Sequence, residues 1–474
     1  MSDININVLN EVYSKINLND FFEEEYCDFA IYRVLQRLPN IIDGFPQTQR
    51  KIIYTMVDQK IEKKIKVSDL ASMVSLATKY HHGSMSIEIA ISNLVPKHSN
   101  QLPLIKEDGA YGNRAERDAA AARYIETRLY KYVSVLFNSL DNKEFVTLKE
   151  TEGKKIEPVT MIPILPMLLI NGQTQIGVGH ASKILPRKLE DVISIFKSIL
   201  TGQKFNSGTI LKPFAPEFKG TIEKTINKNN QIAWKYKGLV NFISKDIVEI
   251  VEVPPAYTRI SYIKILNKLK DDKKIRSYTE DIAGNSFKIK VQMPDRKDPK
   301  YFGNLPEEDR KENLIELFKL TEQQVENLTF IDTKDNIKKA NSVLEIVQEY
   351  TTYLIGIYTS RKKLIIGKSE FNILKNKEKI RFIESVNDET LILKKKSKKE
   401  LNSELLVLNF KQIDDSFEHL FSMPISSLTI EKIDSLQSNI KNDELLLETI
   451  KNTKPTDMWL KDIIEFERLW KLER

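Results

Sequence analysis

The stretch Val67-Ser-Asp-Leu-Ala-Ser-Met-Val-Ser-Leu-Ala-Thr-Lys-Tyr-His-His-Gly-Ser-Met-Ser-Ile-Glu-Ile-Ala-Ile-Ser-Asn-Leu94 decides how the first part of the chain folds. Leu70, Val74 and Ala77 recur at helical spacing up to Lys79, and His81-His82-Gly83 then interrupts the pattern. From Ser84 a second helical face resumes through Ile87, Ala90, Ile91 and Leu94. Helix, short glycine-containing turn, helix is a helix-turn-helix pattern. Such a unit can set its second helix in a DNA major groove, with the helix N-terminus near phosphate. Helix pairs with glycine turns are common, so the pattern alone leaves a purely structural unit open.

Charge supports a polyanionic partner for this region. Residues 27–132 hold 16 Lys and Arg against 11 Asp and Glu, a net of +5, and the whole 474-residue chain carries +7. Hydrophobic residues at 41% and charged residues at 29% are ordinary for a globular protein and exclude disordered and collagen-like classes. The single cysteine, Cys27, cannot form an internal disulfide, which fits a reducing interior. The longest apolar run, Met161–Ile170, is short and broken by Pro163 and Pro166, so no membrane span is expected. The polar N-terminus, MSDININ, does not read as a secretory signal.

Proline and glycine partition the rest. Of 16 glycines, 14 lie at or before Gly303, and of 17 prolines, 15 lie at or before Pro306. The last third therefore reads as long helices. Val343, Val347, Tyr350, Leu354 and Ile357 follow the 4,3,4,3 spacing of a packed helix pair or coiled coil, and the pattern stops at Arg361. A second helical run follows Thr429, a candidate N-cap, through Ile433, Leu436, Ile440, Leu447 and Ile450. The lysine run Lys394, Lys395, Lys396, Lys398, Lys399 reads as a solvated face or loop rather than a DNA contact. Residues 146 to 330 read as mixed α/β, with β-branched runs such as Asp246–Val253 and Ser286–Gln292 set off by Pro254, Pro255, Gly284 and Asn285.

Chemistry concentrates in Asp118-Ala-Ala-Ala-Ala-Arg-Tyr-Ile-Glu-Thr-Arg-Leu129. A neutral phenol is a poor nucleophile and needs help to attack phosphorus. Arg123, beside Tyr124, supplies a fork of donors for phosphate oxygens. The dipeptide alone would be an ordinary packed pair. The surrounding run of motifs changes its weight: Arg37-Leu-Pro-Asn-Ile-Ile-Asp-Gly-Phe-Pro-Gln-Thr-Gln-Arg-Lys-Ile-Ile-Tyr54, Lys79-Tyr-His-His-Gly83, Asp108-Gly-Ala-Tyr-Gly-Asn-Arg114, Ala122-Arg-Tyr124, Ile162–Gly172 and Ile176-Gly-Val-Gly179. This ordered set resembles the DNA breakage-and-reunion region of type IIA DNA topoisomerases. Pro216–Glu223, Met423–Thr429 and Pro455–Asp462 extend the resemblance over about residues 25 to 470, the last two in the eukaryotic style.

The resemblance implies an N-terminal arm (1–26), a winged-helix cleavage domain (27–145), an α/β tower (146–330) and a coiled-coil region with a dimer gate (331–474). The fold class is thus multidomain α/β with large α content. It implies that Tyr124 is the nucleophile of a 5′-phosphotyrosyl bond and Arg123 the transition-state stabiliser. His82 would hydrogen-bond the reacting phosphate region and Arg37 would reach the active site. Arg50, Lys51 and His81 would contact DNA, and Ile176 would be an apolar wedge that bends it. His98, His180 and His419 are scattered and read as structural. Two departures stand out: Phe45-Pro46-Gln47 replaces the family's Leu-Lys-Pro, and Gln175 stands where glycine is usual. No phosphate-binding glycine loop and no acidic Mg²⁺ cluster is visible. Mg²⁺ and ATP are therefore expected on a partner ATPase/metal-binding subunit, with duplex DNA and a second copy of the chain as further partners. No gyrase-type wrapping domain is expected, and a cytoplasmic location (a host's, if viral) follows. A catalytically silent DNA-binding protein and a helical protein unrelated to DNA remain the alternatives.

Overall fold

The computed structural model describes residues 17–203, 212–244, 246–294, 298–394 and 396–473, without the side chain of residue 425. Two compact units form: Met1–Tyr353 with Asp462–Arg474, and Leu354–Lys461. Most of the expected N-terminal arm and Lys395 lie outside the described residues.

In the first unit the decisive stretch forms helices Val67–Thr78 and Ser84–Leu94, preceded by helix Gln47–Asp58. Leu70, Ala71, Val74, Ile87, Ile91 and Leu94 are buried, together with Ile52, Ile53 and Met56 of the earlier helix. Burial of these aliphatic faces, at roughly 25 cal/mol per Å², holds the three helices together. Lys79 ends its helix in the left-handed conformation (φ 48°), which turns the chain out through Tyr80 to Gly83. A small antiparallel sheet flanks the helices: β1 (Ile65–Lys66), β2 (Ile105–Asp108) and β3 (Glu126–Leu129), in the order β1-β3-β2. Two hairpins follow, β4 (Leu148–Thr151) with β5 (Lys154–Pro158), and β6 (Gln173–Ile176) with β7 (Ala181–Ile184).

The expected mixed α/β region holds two further sheets. One is β14-β9-β8, from Thr321–Val325, Ile232–Lys237 and Thr221–Ile226. The other is β10-β11-β13-β12, from Leu239–Phe242, Ile247–Glu252, Ser286–Gln292 and Ser277–Ala283. Both runs singled out by their β-branched residues are its central strands, paired with each other. Helices Arg259–Asp271 and Glu307–Leu317 cover this sheet through Tyr262, Leu266, Leu269, Leu314 and Ile315. Helices Leu18–Glu23 and Glu25–Arg37 leave Phe22, Phe29, Ile31 and Tyr32 exposed.

The second unit is helical. Helix Val343–Asn387 runs 45 residues, well past Arg361 where the apolar seam ends. Beyond that point no proline interrupts it, and it holds its neighbours through ion pairs and, near its end, through Phe382 buried against Leu391, Leu405 and Phe410. Helix Ile430–Asn452 lies antiparallel to it, with Lys377–Glu444 at 3.1 Å and Lys451–Glu370 at 2.8 Å. Lys362 Nζ donates to the carbonyls of Lys451 and Thr453, both at 2.9 Å, and so satisfies the C-terminal end of that helix. Thr429 is its N-cap, accepting from Lys432 N. Within the lysine run, Lys396 pairs with Glu404 and Lys398 with Glu418. No helix among the described residues is long and apolar enough to cross a membrane.

Trp459 is fully buried and stacks on Tyr358 at 5.7 Å. Truncation to Trp459→Ala should cost about 3–5 kcal/mol. Urea denaturation followed by far-ultraviolet circular dichroism should show the loss as an earlier helical transition.

Candidate active site

Tyr124 stands in a turn that leads into β3. The loop before it is irregular but tied down. Ala120 N donates to Ala110 O at 2.9 Å, and Tyr124 N to Ala121 O at 2.9 Å. Val67 N donates to Ile125 O at 3.1 Å, and Ser68 N to Ala122 O at 3.3 Å, which fastens the turn to the start of helix Val67–Thr78. Gly112 sits at φ +81°, where an added Cβ would collide with the Arg117 backbone. Ile125 is buried and Tyr124 is 72% exposed. The Arg123 guanidinium lies 5.0 Å from the Tyr124 ring centroid, a cation–π contact that keeps the two side chains together at the surface.

Arg114 anchors the same loop to the four-stranded sheet. Its guanidinium is buried, donating to Glu252 Oε1 at 2.8 Å, Val253 O at 2.9 Å and Glu217 O at 3.3 Å. The rings of Phe287 and Phe218 lie beside it at 5.4 and 5.8 Å. The sequence motif contains Arg114, yet its long-range carboxylate partner leaves no local signal.

His81 and His82 occupy the turn between the two helices and are exposed. The ring of His82 meets Tyr80 edge-on at 5.3 Å. The Tyr124 turn abuts the start of helix Val67–Thr78 and the histidines follow its end, about 17 Å further along at 1.5 Å per residue. No hydrogen bond or ring contact joins His82 to Tyr124 within the chain.

Ile176 is 77% exposed at the tip of the β6–β7 hairpin. Val178 in the hairpin turn packs with Val34, Leu38 and Ile331. Val34 belongs to helix Glu25–Arg37, whose last residue is the exposed Arg37, so this cluster brings Arg37 and Ile176 onto touching elements. Gln175 stays in register opposite Ser182, so the hairpin accepts it without a bulge. Pro46, in an extended conformation, is the residue that precedes helix Gln47–Asp58.

Arg50 and Lys51 depart from expectation. Both are buried, at 4% and 5% exposure. Arg50 Nη2 donates to Asp43 Oδ1 at 3.0 Å and to Phe45 O at 2.7 Å. Lys51 Nζ donates to Glu157 Oε2 at 2.8 Å and to Thr78 O at 2.7 Å. Their donors are turned inward to the carboxylates of Asp43 and Glu157, which have no exposure, so within this chain both cations are engaged by the protein itself. Lys149 lies 3.8 Å from Glu157, and burial, with Arg50 next, pushes its ammonium pKa down. The solvent face of helix Ser84–Leu94 is a second surprise: it presents Ser84, Met85, Ser86, Ile89 and Asn93, and no Lys or Arg.

Comparison with known proteins gives the family. The chain belongs to the DNA gyrase/topoisomerase IV family, in its A-type subunit branch, whose model matches residues 37–465. It is 30% identical over 461 residues to the mitochondrial DNA topoisomerase 2 of Dictyostelium discoideum, covering 95% of this chain and 35% of that protein. It is 28% identical over 522 residues to DNA topoisomerase 2 of Saccharomyces cerevisiae, covering 97% of this chain and 35% of the relative. The crystal structure of the Plasmodium falciparum topoisomerase II DNA-binding, cleavage and re-ligation domain superimposes with a TM-score of 0.81 at 28% identity. That match covers 96% of this chain and 64% of the other. The chain thus spans about a third of the length of these two relatives.

His98, between the helix pair and β2, titrates low. Burial, reinforced by Arg117 and Arg114, lowers its pKa to about 4 from an ordinary 6.5. The unfolded chain therefore binds the proton first as pH falls. Stability contributed by neutral His98 is complete above about 6.5 and is lost toward about 4. Chemical denaturation across that window should show a shallower loss for His98→Gln than for wild type.

Proposed function

We propose that the chain is the DNA-cleaving subunit of a type II DNA topoisomerase. It makes a transient double-strand break through a tyrosyl ester, lets a second duplex pass, and reseals the break. The observation that carries this reading is the presentation of Arg123 and Tyr124: both exposed, in mutual contact, on a turn pinned by four backbone hydrogen bonds.

In the proposed reaction Tyr124 Oη forms a bond to phosphorus while the bond from phosphorus to the 3′ oxygen breaks. The leaving oxygen takes the electron pair, and the phenol proton reaches it through solvent. Religation is the reverse, and the phosphodiester free energy is conserved in the 5′-phosphotyrosyl ester. Arg123 would donate to the non-bridging oxygens as charge builds on them. Arg37 and His82 would contact the phosphate region, His81 the neighbouring backbone, and Ile176 a base step, where an apolar side chain unstacks and bends the duplex. Among the described residues no group of three or more His, Cys, Asp or Glu is placed to hold a metal ion. In this reading Mg²⁺ and ATP belong to a partner ATPase/metal-binding subunit.

The helix pair with the β1-β3-β2 sheet fits a winged helix, within the proposed boundaries 27–145, followed by a tower (146–330) and a coiled coil with dimer gate (331–474). One tyrosine cuts one strand, so two copies are needed. The cation-free face with Met85 and Ile89, and Leu76 exposed on the preceding helix, suits a protein contact better than groove reading. We liken the chain most to the medium subunit of T-even phage DNA topoisomerase, and expect relaxation and decatenation.

Covalent trapping tests this reading. The chain is mixed with duplex DNA, Mg²⁺ and an ATPase/metal-binding subunit known to be active with another cleavage subunit, then quenched with detergent. Wild type should give protein on DNA 5′ ends and Tyr124→Phe none. Arg123→Ala should lower the yield roughly 100-fold. Salt-sensitive binding without wild-type adducts would favour a silent DNA-binding protein.

A further inference from the structure

We infer that Lys51 is a positioning residue for the His81-His82 turn, acting through the carbonyl of Thr78. The inference rests on the reading of His82 as a group at the reacting phosphate.

Thr78 is the last residue of helix Val67–Thr78, and its carbonyl is among those that a helix C-terminus leaves without an intrahelical partner. Lys51 Nζ fills that role at 2.7 Å and holds Glu157 Oε2 at 2.8 Å with a second donor. The Lys51 side chain is 7% exposed and that of Glu157 0%, so water does not compete for either bond. A cation at a helix C-terminus is also favoured by the helix dipole. Gln47 Nε2 donates to the other Glu157 oxygen at 3.3 Å, which fixes the carboxylate plane.

Three residues separate the fixed carbonyl from His82. Lys79 turns left-handed at once, and Tyr80 N returns to Ser75 O at 3.1 Å. The Tyr80 ring then meets His82 edge-on. A second brace comes from the same hairpin: Lys79 pairs with Glu152, at the β4–β5 turn, at 3.2 Å. That pair is solvent-exposed and contributes little. The buried bond from Lys51 is thus the one that sets where the turn leaves the helix. A buried ammonium–carboxylate pair is a costly way to gain stability, since apolar residues of similar volume commonly serve as well. Its distinctive property is direction: it fixes one carbonyl relative to one strand.

The experiment uses the whole 474-residue chain and a double-mutant cycle. Lys51→Met alone would leave Glu157 with only the longer 3.8 Å ion pair to Lys149, so Lys51→Met/Glu157→Gln is the working variant; it removes the Lys51 and Glu157 charges together. The five histidines of the chain are labelled with carbon-13, and their ring signals are assigned with His82→Gln. The His81 and His82 signals should shift or split in the working variant, with those of His180 and His419 unmoved. Cleavage with the active partner subunit should fall roughly 10- to 100-fold at unchanged duplex affinity. Adding His82→Ala to the working variant should cost nothing further, because coupled sites are non-additive. Unmoved His81 and His82 signals, or fully additive cleavage losses, would overturn the positioning role. Absence of wild-type adducts would instead overturn the cleavage reading, and the histidine spectra would still decide whether Lys51 holds the turn.

Discussion

Two buried ion pairs on one helix organise the first unit. Arg50 and Lys51 are neighbours, and successive side chains on an α-helix point about 100° apart. Arg50 therefore turns to Asp43, at the preceding Asp-Gly turn, while Lys51 turns to Glu157 on β5. Asp43 in turn accepts from Phe45 N and Met161 N, each at 3.0 Å. Helix Gln47–Asp58 thereby joins the turn before it, the apolar segment that starts at Met161, and the β4–β5 hairpin. Removing one member of such a pair leaves an uncompensated buried charge, at a cost of about 3–5 kcal/mol. Each partner is thus held to its place by all the others.

That rigidity matters because the groups proposed to do the chemistry are exposed. Tyr124 and Ile176 are large side chains held out in solvent, against the tendency of such residues to bury. Each is carried by a short segment whose neighbour is buried: Ile125 after Tyr124, and Gly172 before the hairpin of Ile176. The backbone is fixed by packing and hydrogen bonds on one side, while the side chain stays free on the other. Sites that must receive a large, stiff ligand benefit from such preorganisation, since less ordering remains for the moment of binding.

Much of this was legible in the residues. Apolar spacing located helices Val67–Thr78 and Ser84–Leu94, β-branched runs located the paired strands at 247–252 and 286–292, and Thr429 marked a helix start. These are local signals, set by periodicity and capping. The motif set located the presentation of Tyr124 and Ile176 only through family resemblance; no spacing rule dictates it. The fates of Arg50 and Lys51 were not legible. Glu157 lies 106 residues from Lys51 in sequence and is one acid among many until the fold brings them together. The length of helix Val343–Asn387 was missed for a related reason: past Arg361 the regular apolar seam gives way to ion pairs and to isolated buried residues such as Phe382 and Ile383, which a strict 4,3 spacing does not report.

The burial of these cations also changes what charge can mean here. Of the 16 Lys and Arg between residues 27 and 132, Arg50, Lys51 and Arg114 are buried, and of the 11 Asp and Glu, Asp43 is buried. That leaves 13 cations and 10 acids outside, a surplus of +3 rather than +5. So small a surplus cannot carry strong, sequence-independent attraction to a duplex, whose affinity scales with the number of phosphates neutralised. Placement must do what the sum does not. Arg123 is held against Tyr124, Arg37 ends a helix packed against the Ile176 hairpin, and helix Ser84–Leu94 keeps its outer face free of cations. Cations are sparse on the second helix and present where phosphate chemistry is proposed, a distribution that suits the proposed cleavage at one point better than a coating of the duplex.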